Sequence, residues 1–100
     1  MYIRFRTRKL EKCYLSHRKA AAAWGKKVAD KYVQRVDILK VVEKIEDLHS
    51  FPPLRFHALG GYRKGEYAVD LTERYRLIFT LEGDAPMIIC VEEVSKHYGD

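Results

Sequence analysis

Only two cysteines, Cys13 and Cys90, occur in the 100 residues, and neither belongs to a CxxC pair or a Cys/His ligand spacing. That excludes a disulfide framework and a zinc centre, and it fits a reducing compartment. No window approaches the eighteen apolar residues that a membrane-crossing helix needs. The N-terminal MYIRFRTRK is charged throughout, without an apolar core or a small-residue cleavage site, which reads against a secretory leader. These absences predict a cytoplasmic protein with no membrane contact. The glycine-bearing run GGYRKG lacks Walker spacing and leads into a strand pattern, so neither a nucleoside-triphosphate loop nor a dinucleotide fingerprint is present. With no carboxylate cluster and no paired histidine spacing, no metal and no cofactor are expected. Repeats, linkers and low-complexity segments are also missing, and residues 1–100 read as one domain.

A composition of 47% hydrophobic and 33% charged residues supplies one small core and no more. The net charge of +5 conceals a gradient, because residues 1–40 carry twelve Lys/Arg against three acids while residues 41–100 carry seven against eleven. A basic half of this kind fits a polyanion such as nucleic acid, a solvated helix face, or the docking surface of an acidic partner.

Tyr2 to Arg6 alternates as a short strand, with Ile3 and Phe5 on one face and Arg4 and Arg6 on the other. Thr7 is placed to cap a helix over Arg8 to about Ala23, whose exposed face holds Arg8, Lys9, Lys12, Arg18 and Lys19. Gly25 ends or turns it. Val28, Tyr32, Val36, Leu39, Val42 and Ile45 then recur at three- or four-residue steps, predicting a helix from Lys26 to about Leu48 that stops at Pro52-Pro53. An extended piece through Leu54 to Leu59, a hairpin with strands from Glu66 to Thr72 and Tyr75 to Leu81, a turn at Gly83-Asp84 and a strand from Pro86 to Val94 complete the pattern, leaving Ser95 to Asp100 as a polar tail. The predicted class is α+β: two N-terminal helices on one face of a twisted antiparallel sheet of three to five strands, with the other face open.

Arg76 interrupts the apolar phase of Tyr75, Leu77 and Phe79 and so projects onto the open face. It is either a fixed cation for phosphate or an ordinary cross-strand partner of Asp70 or Glu66. Arg63 and Lys64 sit in a glycine-flanked turn, able to close over a ligand or simply to connect two strands. His57 before that turn and His97 after the last strand can reach the same end of the sheet and exchange protons near neutral pH, although a lone histidine is ordinarily structural. Tyr62 and Tyr98 are candidates to stack on unpaired bases, whereas Tyr67 and Tyr75 fall on the apolar phase and read as core. Trp24 reads as helix packing or a partner contact. Together these groups suit metal-independent RNA cleavage.

Arg8-Lys9-Leu10, Asp47-Leu48 with Pro53, Arg55-Phe56-His57-Ala58-Leu59, Gly61-Tyr62-Arg63-Lys64-Gly65, Ala68-Val69-Asp70-Leu71 and Tyr75-Arg76-Leu77-Ile78-Phe79 follow one another along nearly the whole chain. In that order they resemble the RelE/ParE superfamily of bacterial toxins, and especially its HigB-like plasmid maintenance killer group. The resemblance implies a microbial-RNase-like fold and a ribosome-dependent endoribonuclease that cuts messenger RNA in the decoding site, against 16S ribosomal RNA. It also implies a cognate antitoxin, in this group usually a helix-turn-helix protein, bound in a toxin–antitoxin hetero-oligomer. Arg76 takes the place of the arginine on the scissile phosphate, and His57 and His97 those of the family's histidines. Two departures stand out: Gly60 where many relatives carry a catalytic lysine, and Ser95-Lys96-His97 in place of Asp-Tyr-His. Lys64 or Lys96 is a candidate for the missing cation. The same fold also serves the ParE branch, which blocks DNA gyrase without catalysis, and a basic RNA-binding domain with structural histidines is a third reading.

Overall fold

The computed structural model describes residues 1–84 and 87–96. Strand β1 (Tyr2–Phe5) is followed by helices α1 (Arg8–Leu15), α2 (His17–Trp24) and α3 (Lys26–Val41), then β2 (His57–Ala58), β3 (Glu66–Asp70), β4 (Tyr75–Glu82) and β5 (Ile88–Lys96). The strands form a single sheet in the order β1-β5-β4-β3-β2. Its inner face supplies Val69, Leu71, Leu77, Phe79, Ile89 and Val91, which pack against Leu10, Cys13, Ala20, Val28, Tyr32, Val36 and Leu39 of the helices. The α+β class, with helices on one face, is as the patterning predicts.

The sheet is mixed, because β1 pairs parallel to β5 while the remaining neighbours are antiparallel. Alternation reports which face a side chain occupies and carries no strand direction, so the sequence pattern cannot distinguish the two. β1 joins the edge beside the last strand only after the intervening helices have crossed the sheet.

Thr7 caps α1 as expected, its hydroxyl accepting from the Leu10 amide at 3.2 Å. The predicted first helix is nevertheless two helices. Ser16 is extended at φ −134°, receives the end of α1 and caps α2 by accepting from the Lys19 amide, since a serine hydroxyl competes with the helical ladder for backbone donors. Gly25, at φ +88°, starts α3 with a backbone that side-chain-bearing residues rarely adopt.

α3 is also shorter than its apolar stripe predicts, ending at Val41, with a tight turn of 3₁₀ type over Ile45–Ser50 where Leu48 is buried. A group far away in sequence meets this end: the N-terminal ammonium of Met1 donates to the carbonyls of Lys40 and Val42 at 2.9 and 2.8 Å, a cation at the negative end of the helix. Tyr32 ties α3 to α1 through a buried hydrogen bond to the Leu10 carbonyl. Trp24 packs edge-on against Tyr32, in keeping with a helix-packing role.

Toward the C-terminus, the extended piece before the glycines narrows to His57–Ala58, and β5 runs on to Lys96 through what the sequence presents as a tail. Between Ile78 and Phe79 the β4–β5 register slips, so that Ile78 faces Glu93 and Phe79 faces Val91. Glu92 is the extra residue of this bulge. Both acids therefore reach the open face, which a strict two-residue period forbids. The expected polar-tail residues 97–100, including His97 and Tyr98, lie outside the described residues, as does Pro86.

Candidate functional site

The hairpin β3–β4 pairs Asp70 with Arg76 and Ala68 with Ile78, and β2 adds His57 opposite Ala68. Directly opposed residues share a face, so His57, Asp70, Arg76 and Ile78 all project away from the helices. Phe56 points the other way. It stacks on Tyr67 and Phe79 with ring centroids 5.7 and 6.1 Å apart, which locks the start of β2 against the core and commits its neighbour His57 to the open side. Tyr67 and Tyr75 pack with the core, as their phase predicts.

Most cations on this face already have carboxylate partners. Arg4 makes a two-point contact with Glu82 at 3.0 and 2.7 Å, and Arg6 does the same with Glu92 at 2.9 and 2.8 Å. Glu92 also accepts from the Thr80 hydroxyl at 2.7 Å. Arg63 bonds Glu66 at 2.6 Å and also Glu93, which holds its guanidinium firmly charged and fastens the basic turn to the sheet. Arg63 is therefore a strut under the turn in this state, with its charge offset. Lys64 at the tip is exposed and forms no ion pair among the described residues. Tyr62 beside it is 98% exposed, a bare ring surface of the kind on which a base stacks. Lys96 ends β5 opposite Tyr75.

The hydrogen bond from Arg6, then that from Thr80, holds the Glu92 carboxyl at a pKa of about 2. A carboxyl depressed in the folded state stabilises the fold above its unfolded value near 4.5 and loses that contribution as pH falls toward 2. Because Arg6 is half exposed, screening reduces the effect to roughly 1–2 kcal/mol. Denaturant titrations of wild type and Glu92→Gln are expected to differ by that amount at pH 7 and to converge between pH 4.5 and 2. A constant gap across that range would show that the pair is not the cause.

Arg76 is the exception among these cations. Its Nε is buried and has no hydrogen-bond partner among the described residues. The carboxylates that cross-strand pairing makes available are engaged elsewhere, Asp70 by Arg55 at 3.5 Å and Glu66 by Arg63. The simple strand ion pair that the sequence allows is thus not formed. A buried donor left unpaired costs roughly 1–3 kcal/mol, and such groups call for an explanation. Arg76 borders a pocket of about 320 Å³ lined also by Pro53, Arg55, Asp70, Leu71, Thr72, Glu73 and Tyr75.

His57 is exposed, and its Nδ1 lies 2.7 Å from the Arg55 carbonyl. A carbonyl only accepts, so Nδ1 carries the proton in this contact and the neutral ring presents a bare Nε2, the acceptor form a general base requires. His57 lies two strands from Arg76, roughly 10 Å across the sheet, and two residues, roughly 7 Å, along it. The two side chains therefore do not touch.

Two further arginines belong to this site. Arg55 is the one non-glycine residue with positive φ among the described residues, at φ 46° and ψ 47°. A left-handed residue with a side chain costs roughly 1–3 kcal/mol and tends to mark functional places. Arg35 of α3, buried beneath the sheet end, donates to the Asp70 carbonyl at 3.0 Å and to the Gln34 side chain at 2.7 Å. It interrupts the apolar stripe between Tyr32 and Val36, the one hint that it is buried. Both converge on Asp70.

Cys90 sits buried on the open face opposite Thr80 and Arg4, and burial pushes its thiol up, away from nucleophilic chemistry. Among the described residues no group of three or more His, Cys, Asp or Glu side chains is arranged to hold a metal ion, and no helix is long and apolar enough to cross a membrane.

The folded chain superimposes on a YoeB/ParE toxin from Agrobacterium tumefaciens with a TM-score of 0.60 at 16% identity, covering 98% of this chain and 100% of that one. The YoeB-YefM complex from Staphylococcus aureus matches with a TM-score of 0.60 at 19% identity, with 98% of each chain covered. These likenesses concern the fold. No curated protein matches the sequence. Residues 3–91 do match the model of the HigB-like toxins, described as RelE-like toxins of type II toxin-antitoxin systems. With that match over most of its length, on a fold shared with YoeB and ParE toxins, the chain belongs to the HigB-like family of RelE-like type II toxins.

Proposed function

We propose that this toxin is a metal-independent endoribonuclease that cleaves messenger RNA on the ribosome at the decoding site, and so inhibits translation. The observation that carries this reading is Arg76, a half-buried guanidinium on the open sheet face whose inner nitrogen has no partner among the described residues. An anion with several acceptor oxygens, such as a phosphodiester, is the complement of such a group. In the proposed reaction, His57 Nε2 accepts the proton of a ribose 2′-hydroxyl as that oxygen bonds to phosphorus. The P–O5′ bond breaks, and His97 protonates the departing 5′-oxygen. Arg76 stabilises the charge that grows on the phosphoryl oxygens. Lys64 and Lys96 position the RNA backbone, with Arg63 joining them or bracing their turn, and Tyr62 and Tyr98 stack on bases. A cognate antitoxin restrains the activity, a reading supported by the complex that the S. aureus YoeB forms with YefM.

Inducing the chain in cells and mapping transcript 5′ ends tests the reading. New ends within translated frames, lost with Arg76→Ala, are expected. Growth arrest with intact transcripts and damaged or relaxed DNA would instead indicate a gyrase inhibitor.

A further inference from the structure

Resting on that reading, we infer that Arg55 is a second phosphate-binding cation, held on Asp70 in the free protein and transferred to the RNA phosphodiester beside Arg76 when substrate enters. Arg55 and Arg76 line the same pocket, with the Asp70 carboxylate between them: opposite Arg76 in strand register and 3.5 Å from Nη1 of Arg55. The Arg55–Asp70 contact is long, single and made by a side chain that is 71% exposed, so solvent screens it and an RNA phosphodiester seated against Arg76 can displace it. Arg76 by contrast is half-buried, with its Nε enclosed. An enclosed and a movable guanidinium around one pocket match the two non-bridging oxygens of a phosphodiester.

The backbone of Arg55 points to the same role. Its left-handed conformation is where glycine would be at ease, yet arginine occupies it. That conformation aims the carbonyl of Arg55 at His57 Nδ1 while its side chain enters the Arg76 pocket. One residue thereby orients the base through its main chain and supplies a cation through its side chain.

Arg55→Gly separates the two contributions, since glycine accepts φ 46° and retains the carbonyl. The variant is expected to melt at or above the wild-type temperature and to cleave messenger RNA on ribosomes roughly 10- to 100-fold more slowly, consistent with one lost phosphate cation. Arg55→Lys should recover most of that loss. Binding of a free single-stranded 2′-O-methyl RNA, which cannot be cleaved, gives an independent reading: the slope of log affinity against log salt should become shallower by about 0.7 in Arg55→Gly, the share of one phosphate contact. An unchanged slope, or no wild-type binding to the RNA at any salt, overturns the inference even if cleavage falls, because the effect would then run through His57. A shallower slope in a protein whose wild type never cuts messenger RNA upholds the phosphate contact and removes the ribonuclease reading instead.

Discussion

Replacing Arg76 with methionine is expected to slow messenger RNA cleavage by roughly 10²- to 10³-fold while leaving the protein as stable as wild type or up to about 1 kcal/mol more so. The two halves of this result have one origin. Arg76 Nε lies buried without an acceptor among the described residues, a desolvation cost that a bound anion relieves. Methionine fills similar volume on β4 without that cost. If Arg76 were instead a structural ion-pair partner of Asp70, removal would leave a carboxylate uncompensated and lower stability. Single-turnover cleavage on ribosomes and chemical denaturation, run on the same preparations, separate the cases. Lowered stability with unimpaired cleavage would sink the assignment.

His57→Asn is expected to lower the cleavage rate by roughly 10²- to 10⁴-fold, the ordinary span for a general acid or base, with RNA affinity and stability close to wild type. Asparagine is chosen because its amide can still donate to the Arg55 carbonyl that holds His57 Nδ1 at 2.7 Å. The local turn is thus preserved while the proton acceptor on the far side of the ring is lost. His57 is exposed and belongs to a strand of only two residues, so little core packing depends on its ring. A rate within threefold of wild type would return His57 to the structural role that an isolated histidine usually has. A large loss of affinity would mean that it binds RNA without exchanging a proton.

Much of the fold is legible from local chemistry. Thr7 caps, Gly25 turns, and the phases of Tyr67-Val69-Leu71 and Leu77-Phe79 face inward because each depends on spacing and residue type alone. Apart from the local break at Ser16, the departures from the reading involve groups distant in sequence. The end of α3 is met by the ammonium of Met1, and the double appearance of Glu92 and Glu93 on the open face accompanies a bulge whose carboxylates Arg6, Thr80 and Arg63 take up. Arg63 shows the same limit. A glycine-flanked turn reads as mobile, whereas carboxylates on β3 and β5 brace it against the sheet.

The order of motifs along this chain determined its family, its open basic sheet face and the assignment of Arg76 to that face, because side-chain alternation is a local property of an extended backbone. Tertiary structure decided which of the cations on that face are already neutralised. Ion pairing depends on distances between strands brought together by folding, and those distances left Arg76 without a partner among the described residues, put Arg63 between two glutamates, and drew Arg55 into the pocket on a strained turn.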